Sequence, residues 1–158
     1  MYLYLIQHGD AKSEQEDPAR PLSEKGAKDV KKVASFVSLN LGINVESIFN
    51  SGKLRAAQTA GIFAEYIKSR NGVSEKDGLA PMDNPIIWAE RLKAIDKDIM
   101  LVGHLPHLAK LASLLLCGNP DIKTVNFRMG GIVCLKREEG RWSVEWMIVP
   151  EILKRVNS

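Results

Sequence analysis

Apolar and polar positions come in alternating blocks along the 158-residue chain. Leu3-Tyr4-Leu5-Ile6 is an unbroken apolar run that stops at Gln7-His8-Gly9-Asp10, which predicts a buried strand over residues 2–7. Residues 11–22, with the stretch EDPARPLS, read as a polar loop. Ser23 is then a candidate helix N-cap, followed at helical spacing by Ala27, Val30, Val33, Ala34 and Val37, and Gly42 can close that helix in the left-handed conformation. SIFNS (47–51) predicts a short strand. Arg55 to about Lys68 predicts a helix with Ala56, Thr59, Ala60, Phe63 and Ile67 on one face. Residues 71–85, rich in Gly, Pro, Asn and Asp, read as loop, and a helix covers roughly 86–95. DIMLVG (98–103) is a further buried strand. Pro106 stands where a first helical residue would, opening a helix to about Leu116. GGIVCLKRE and RWSVEWMIV alternate as strands do, joined by a hairpin at Glu139-Gly140.

Strands alternating with helices predict a three-layer α/β sandwich, with a mainly parallel central sheet and an antiparallel edge from the late hairpin. The length and the absence of a linker or repeat predict one domain over residues 1–158. His8, Ser51 and His104 each follow a strand directly, and open parallel sheets bind ligands at the carboxyl ends of their strands. Composition changes this picture little. Apolar residues make up 45% and charged residues 26%, and 22 basic against 19 acidic side chains leave a net charge of +3. The basic residues are scattered, which argues against nucleic acid as a partner. No segment approaches membrane-spanning length, and the short first apolar run, with no basic residue before it, does not resemble a signal peptide. A cytoplasmic protein with no membrane partner is expected. Cys117 and Cys134 lie in apolar surroundings and are expected to be buried, reduced thiols.

The chemistry-bearing residues converge on the expected ligand edge. A neutral imidazole at His8 can attack phosphorus if its second ring nitrogen donates to a fixed acceptor. Gly9 beside it permits a tight turn and close approach of an anion to the backbone. His104 precedes a helix start that favours anions, and it can donate to a phosphoryl oxygen. Arg55 can present a planar fork to phosphate, with Ser51 and Lys53 as further donors. Arg20 sits on a loop stiffened by Pro18 and Pro21. A His104/His107 metal pair lacks a third ligand motif, so no metal is expected, and His107 is expected on the helix surface. Taken singly, each keeps a bland alternative: a satisfied strand-end histidine for His8, a solvated helix-start arginine for Arg55 and an ordinary surface-loop arginine for Arg20.

Taken together, IQHGDA, RPLSEKG, SGKLRAAQTA, LVGHLPHLAKLASLL and the closing WMIVPEILK resemble the histidine phosphatase superfamily, the phosphoglycerate-mutase-like fold, and within it the small SixA-type phosphohistidine phosphatases. The resemblance implies that His8 accepts the phosphoryl group, Arg55 grips it, His104 stabilises its charge, and water releases it. It implies no metal or organic cofactor, and a phosphohistidine-containing protein as partner. One position departs from the pattern: Gln7 stands where the family usually has arginine. Neutral hydrogen bonds are about half as strong as charge-assisted ones. Gln7 therefore leaves an impaired phosphate- or phosphoprotein-binding module open beside the phosphohistidine phosphatase, and a small-molecule phosphomonoesterase, which would need a leaving-group acid, is the other enzyme alternative. Arg20, matching an arginine near the site in small family members, is expected to share the load. Asp83 and Glu90 are the only candidates for a leaving-group acid in their region and are expected to be ordinary loop and helix-surface charges. The oligomeric state is open.

Overall fold

The computed structural model describes residues 1–153. A six-stranded sheet runs in the order β5 (Val73–Glu75), β3 (Ser47–Asn50), β6 (Ile99–Gly103), β1 (Tyr2–Gln7), β7 (Ile132–Glu138), β8 (Arg141–Ile148). The first four strands are mutually parallel, β7 is antiparallel to β1, and β8 is antiparallel to β7. Helices α1 (Glu24–Leu41), α2 (Leu54–Tyr66), α3 (Ile86–Lys93) and α4 (His107–Cys117) cover the sheet. The chain thus has the α/β architecture with one antiparallel edge that its alternating blocks imply. Lys154, the last residue of the WMIVPEILK segment, lies outside the described residues.

Both faces of the sheet are covered, which is why its central strands are apolar without a break. Side chains alternate along β1. Tyr4 and Ile6 pack with Val30, Val33, Val37 and Phe63 of α1 and α2, while Leu3 and Leu5 pack with Trp88, Leu108 and Leu111 of α3 and α4. Each such side chain contributes about 1.5–3 kcal/mol through burial. The α1 boundaries follow their local signals: the Ser23 side chain accepts from the Gly26 N–H, and Gly42 closes the helix at φ 58°.

Register positions the site. Gln7 pairs with Gly103 on the last rung between β1 and β6, and the His8 N–H donates to the Gly103 carbonyl at 3.0 Å. Asn50 pairs with Val102 on the other side of β6. His8, His104 and Ser51 therefore emerge side by side, each one residue beyond a paired strand end.

Several expectations are corrected. Residues 71–85 are not all loop, since β5 adds an edge strand, and β2 (Asn44–Val45) pairs with β4 (Lys68–Ser69) in a separate two-stranded sheet. The second helix ends at Tyr66 rather than Lys68, and α4 starts at His107, with Pro106 in the N-cap position. Cys117 is exposed and only Cys134 is buried: Cys117 ends α4 beyond its buried face, whereas Cys134 lies in the sheet core, where burial pushes its thiol up to about 12. His107 is fully buried rather than superficial, because α4 buries His107, Leu108, Leu111 and Ala112 on one face.

Candidate active site

His8 is 9% exposed, and its Nδ1 donates to the Gly9 carbonyl at 2.7 Å. A neutral imidazole carries one N–H, so placing it on Nδ1 leaves the lone pair on Nε2. Burial, then the Arg55 and Arg20 charges, lower the His8 pKa, against the raising effects of the Gly9 bond and Asp10. The ring is therefore neutral and nucleophilic at neutral pH.

The Gly9 N–H donates to Thr59 Oγ1 at 3.1 Å, and the Thr59 hydroxyl donates in turn to the Arg55 carbonyl at 2.8 Å. Gly9 is thus a clamp for His8, with both of its backbone polar groups engaged. A Cβ here would lie 2.8 Å from Val30 Cγ2 and 3.0 Å from the Gly26 carbonyl, so the close packing of α1 demands glycine. Thr59 is a participant that periodicity places merely on the apolar face of α2. The one clue is a hydroxyl on a face otherwise made of Ala and Phe.

His104 is 1% exposed, with its ring centroid 4.9 Å from that of His8. Its Nε2 shares a 2.6 Å hydrogen bond with Ser51 Oγ, and its Nδ1 is buried without a partner. Burial, helped by His8, Arg55 and Lys53, pushes its pKa down to about 3. Ser51 thus orients the second histidine, and Lys53, exposed at the same loop, adds positive potential.

Arg55 is half-buried in the first turn of α2, and its Nε has no partner. Burial and the Arg20 charge lower its pKa, which places the two guanidinium groups close enough to repel. Arg20, at φ 48°, is anchored by its Nε donating to the Lys12 carbonyl at 3.1 Å. Gln7 is 9% exposed, and its Oε1 is buried without a partner. His104 Nδ1, Arg55 Nε and Gln7 Oε1 are thus three unpaired buried polar atoms at one sheet edge, where buried polar groups are normally satisfied. Two cations, one lone pair and unused donors in one place form a seat for a multiply charged oxyanion.

The acid candidates do not join this group. Asp83 accepts from the Ala80 N–H at 2.9 Å within its own loop, and Glu90 pairs with Lys93 at 2.8 Å on α3. Among the described residues, no three His, Cys, Asp or Glu side chains are grouped to hold a metal ion.

This sheet order, with two histidines and an arginine at its carboxyl edge, is the histidine phosphatase fold. The SixA protein histidine phosphatase in its tungstate complex superposes with a TM-score of 0.85 over 98% of this chain and 100% of that one, at 22% identity. Phosphoserine phosphatase of Entamoeba histolytica matches with a TM-score of 0.69 at 16% identity, over 92% of this chain and 95% of that one. The α-ribazole phosphatase of Shigella flexneri gives 0.72 at 12%, with the same coverage of 92% and 95%. In sequence, the chain belongs to one family with an uncharacterized protein of Picosynechococcus sp., 35% identical over 150 residues that cover 89% of this chain and 88% of the relative. No protein-family model matches the chain.

Proposed function

We propose that the protein is a phosphohistidine phosphatase that works through a covalent phosphohistidine on His8. The observation that carries this reading is the 2.7 Å bond from His8 Nδ1 to the Gly9 carbonyl, with His104 4.9 Å away and Arg55 beside it. A histidine serving only structure has no need of a free, desolvated lone pair facing cations. In the first step, His8 Nε2 attacks phosphorus, and the bond from phosphorus to the substrate nitrogen breaks. The leaving imidazole departs with the proton it already carries. In the second step, water attacks the phosphorus of phospho-His8, loses a proton to solvent, and releases inorganic phosphate while His8 regains its lone pair. Arg55 and Arg20 hold the phosphoryl oxygens, and His104 Nδ1 meets the third. Phosphoryl transfer asks mainly for such positioning and charge compensation, so the residues suffice without a metal.

The substrate class follows from the missing acid. Asp83 and Glu90 are engaged elsewhere, so an alkoxide would leave without a proton donor, whereas protonated imidazole needs none. The fold also hosts proteins named as phosphoserine and α-ribazole phosphatases, which makes a small phosphate ester the second reading. Incubation with a phosphohistidine protein and, separately, with p-nitrophenyl phosphate decides the matter. The expected outcome is an acid-labile phosphoryl adduct on His8 from the phosphohistidine protein, absent in His8→Ala, with slow ester turnover. Faster ester turnover makes the esterase reading correct. Inorganic phosphate binding without an adduct from either substrate makes the protein a binding module.

A further inference from the structure

Gln7 Oε1 is a buried acceptor with nothing to accept, in a residue only 9% exposed. An unsatisfied buried polar group is costly, so a donor is expected to reach it in the working state. The nearest unassigned structure is a cavity of about 280 Å³ bordered by Gln7, Asp10, Leu105 and Arg128. Two of these border the nucleophile edge directly, Asp10 two residues after His8 and Leu105 one residue after His104.

Arg128 is exposed, and no hydrogen bond or salt bridge engages its guanidinium among the described residues. Its backbone, by contrast, is tightly held. The Gly131 N–H donates to the Arg128 carbonyl at 3.0 Å, and Gly130 takes φ 74° at the third position of this turn, where a type II turn requires a positive φ. The Gly130 N–H is shared between the carbonyls of Gln7 at 2.9 Å and His8 at 3.2 Å. A free guanidinium is thus mounted on a turn stapled to the nucleophile and its neighbour. The acids bordering the cavity are mostly engaged: Asp29 takes Lys25 at 2.7 Å, and Asp10 accepts from Ser23 at 2.6 Å, leaving Glu151 as the single competitor.

We propose that Gln7 and Arg128 form one anion-holding unit, in which the Arg128 guanidinium donates to Gln7 Oε1 and turns its remaining N–H groups onto an oxygen of the bound phosphoryl group. This rests on the phosphoryl-transfer reading of the site. Guanidinium carries five donors in a rigid fork, so one edge can be spent on the carboxamide while the other meets the anion. A carboxamide at position 7 accepts from Arg128, whereas a cation there repels it. The neutral residue is then no deficit: it relocates the third cation of the site to residue 128.

The experiment is a double-mutant cycle read in two ways: inhibition constants for inorganic phosphate, and kcat and KM on a phosphohistidine protein. Variants are R128A, Q7A, the Q7A/R128A double, Q7R and Q7R/R128A, with R128K as the charge-keeping variant and K31A as a surface-charge control. Near-UV circular dichroism and melting temperatures confirm that each variant folds. R128A is expected to weaken phosphate binding about tenfold, the worth of one charge-assisted hydrogen bond. Adding Q7A to R128A is expected to cost less than twofold further. In the Q7R background R128A is expected to change little, because the cation then sits at position 7. R128K is expected to restore part of the loss, and K31A to match the wild type. An R128A protein equal to the wild type, or losses from Q7A and R128A that multiply, overturns the inference. A wild type that neither binds inorganic phosphate nor forms a His8 adduct overturns the phosphatase reading and this one with it.

Discussion

At the residue scale, the proposed mechanism separates residues that would touch the phosphoryl group from those that hold them in place. Gly9, Thr59 and Ser51 belong to the second kind, since their polar groups are engaged with His8, with Gly9 and with His104 respectively. On the proposed reading Arg20 belongs to the first, its charge acting on both His8 and Arg55. Its removal is expected to lower kcat/KM by about 10–100-fold, the loss of one or two hydrogen bonds to a charged group, with little change in melting temperature. Steady-state kinetics of Arg20→Ala check this, and an inert substitution ends the role for Arg20. How much of the site was legible depended on where each residue sits. His8, Ser51 and His104 fall just past strand ends, so the sheet rule finds them, and Arg55 opens the helix that follows β3. Thr59 lies inside a helix, where the period marks only its burial, and Arg128 lies on an irregular connection that carries no periodic signal.

At the element scale, α1 reaches the site through one very close approach. A Cβ at Gly26 would stand 2.0 Å from the Asp10 carbonyl oxygen, the same backbone oxygen that accepts from the Ser23 N–H at 2.9 Å. Gly26→Ala is therefore expected to cost on the order of 3 kcal/mol, as overpacking against backbone does. Urea denaturation measures it, and an unchanged midpoint would show that the loop after His8 yields freely. Helices α1, α2 and α4 were readable because their apolar faces repeat with the helical period. Strand β5 was not: its three residues are all exposed and show no alternation, so only its pairing with β3 makes it a strand. The β2–β4 pair, two residues a side, is equally silent. His107 misleads because a polar residue opening a helix suggests solvent, while the face it shares with Leu108 and Leu111 is the buried one.

At the scale of the whole molecule, three buried histidines couple stability to pH. Burial is the first cause that lowers the pKa of His8, His104 and His107 alike. Unfolded chains protonate histidine near 6.5, whereas the folded protein resists, so between those values the unfolded state binds more protons. Stability is then complete above about pH 6.5 and falls as the pH drops, until His104 titrates in the folded state at about 3. Each histidine kept neutral contributes a slope of about 1.4 kcal/mol per pH unit in its window. Melting temperatures are expected to hold from pH 7.5 to about 6.5 and to decline from there to 4.5, less steeply in His107→Leu. A flat profile would mean that the imidazoles protonate freely in the folded chain.

Strand order has a consequence for how the chain is made. β1 leaves the ribosome first, yet its two neighbours, β6 and β7, come from the second half of the sequence. This apolar strand therefore waits with both hydrogen-bonding edges open until both neighbours have been synthesised. His8 follows directly on that strand. On the proposed reading the site therefore assembles only once β1 is paired on both sides, and a half-made chain cannot yet hold a phosphoryl group.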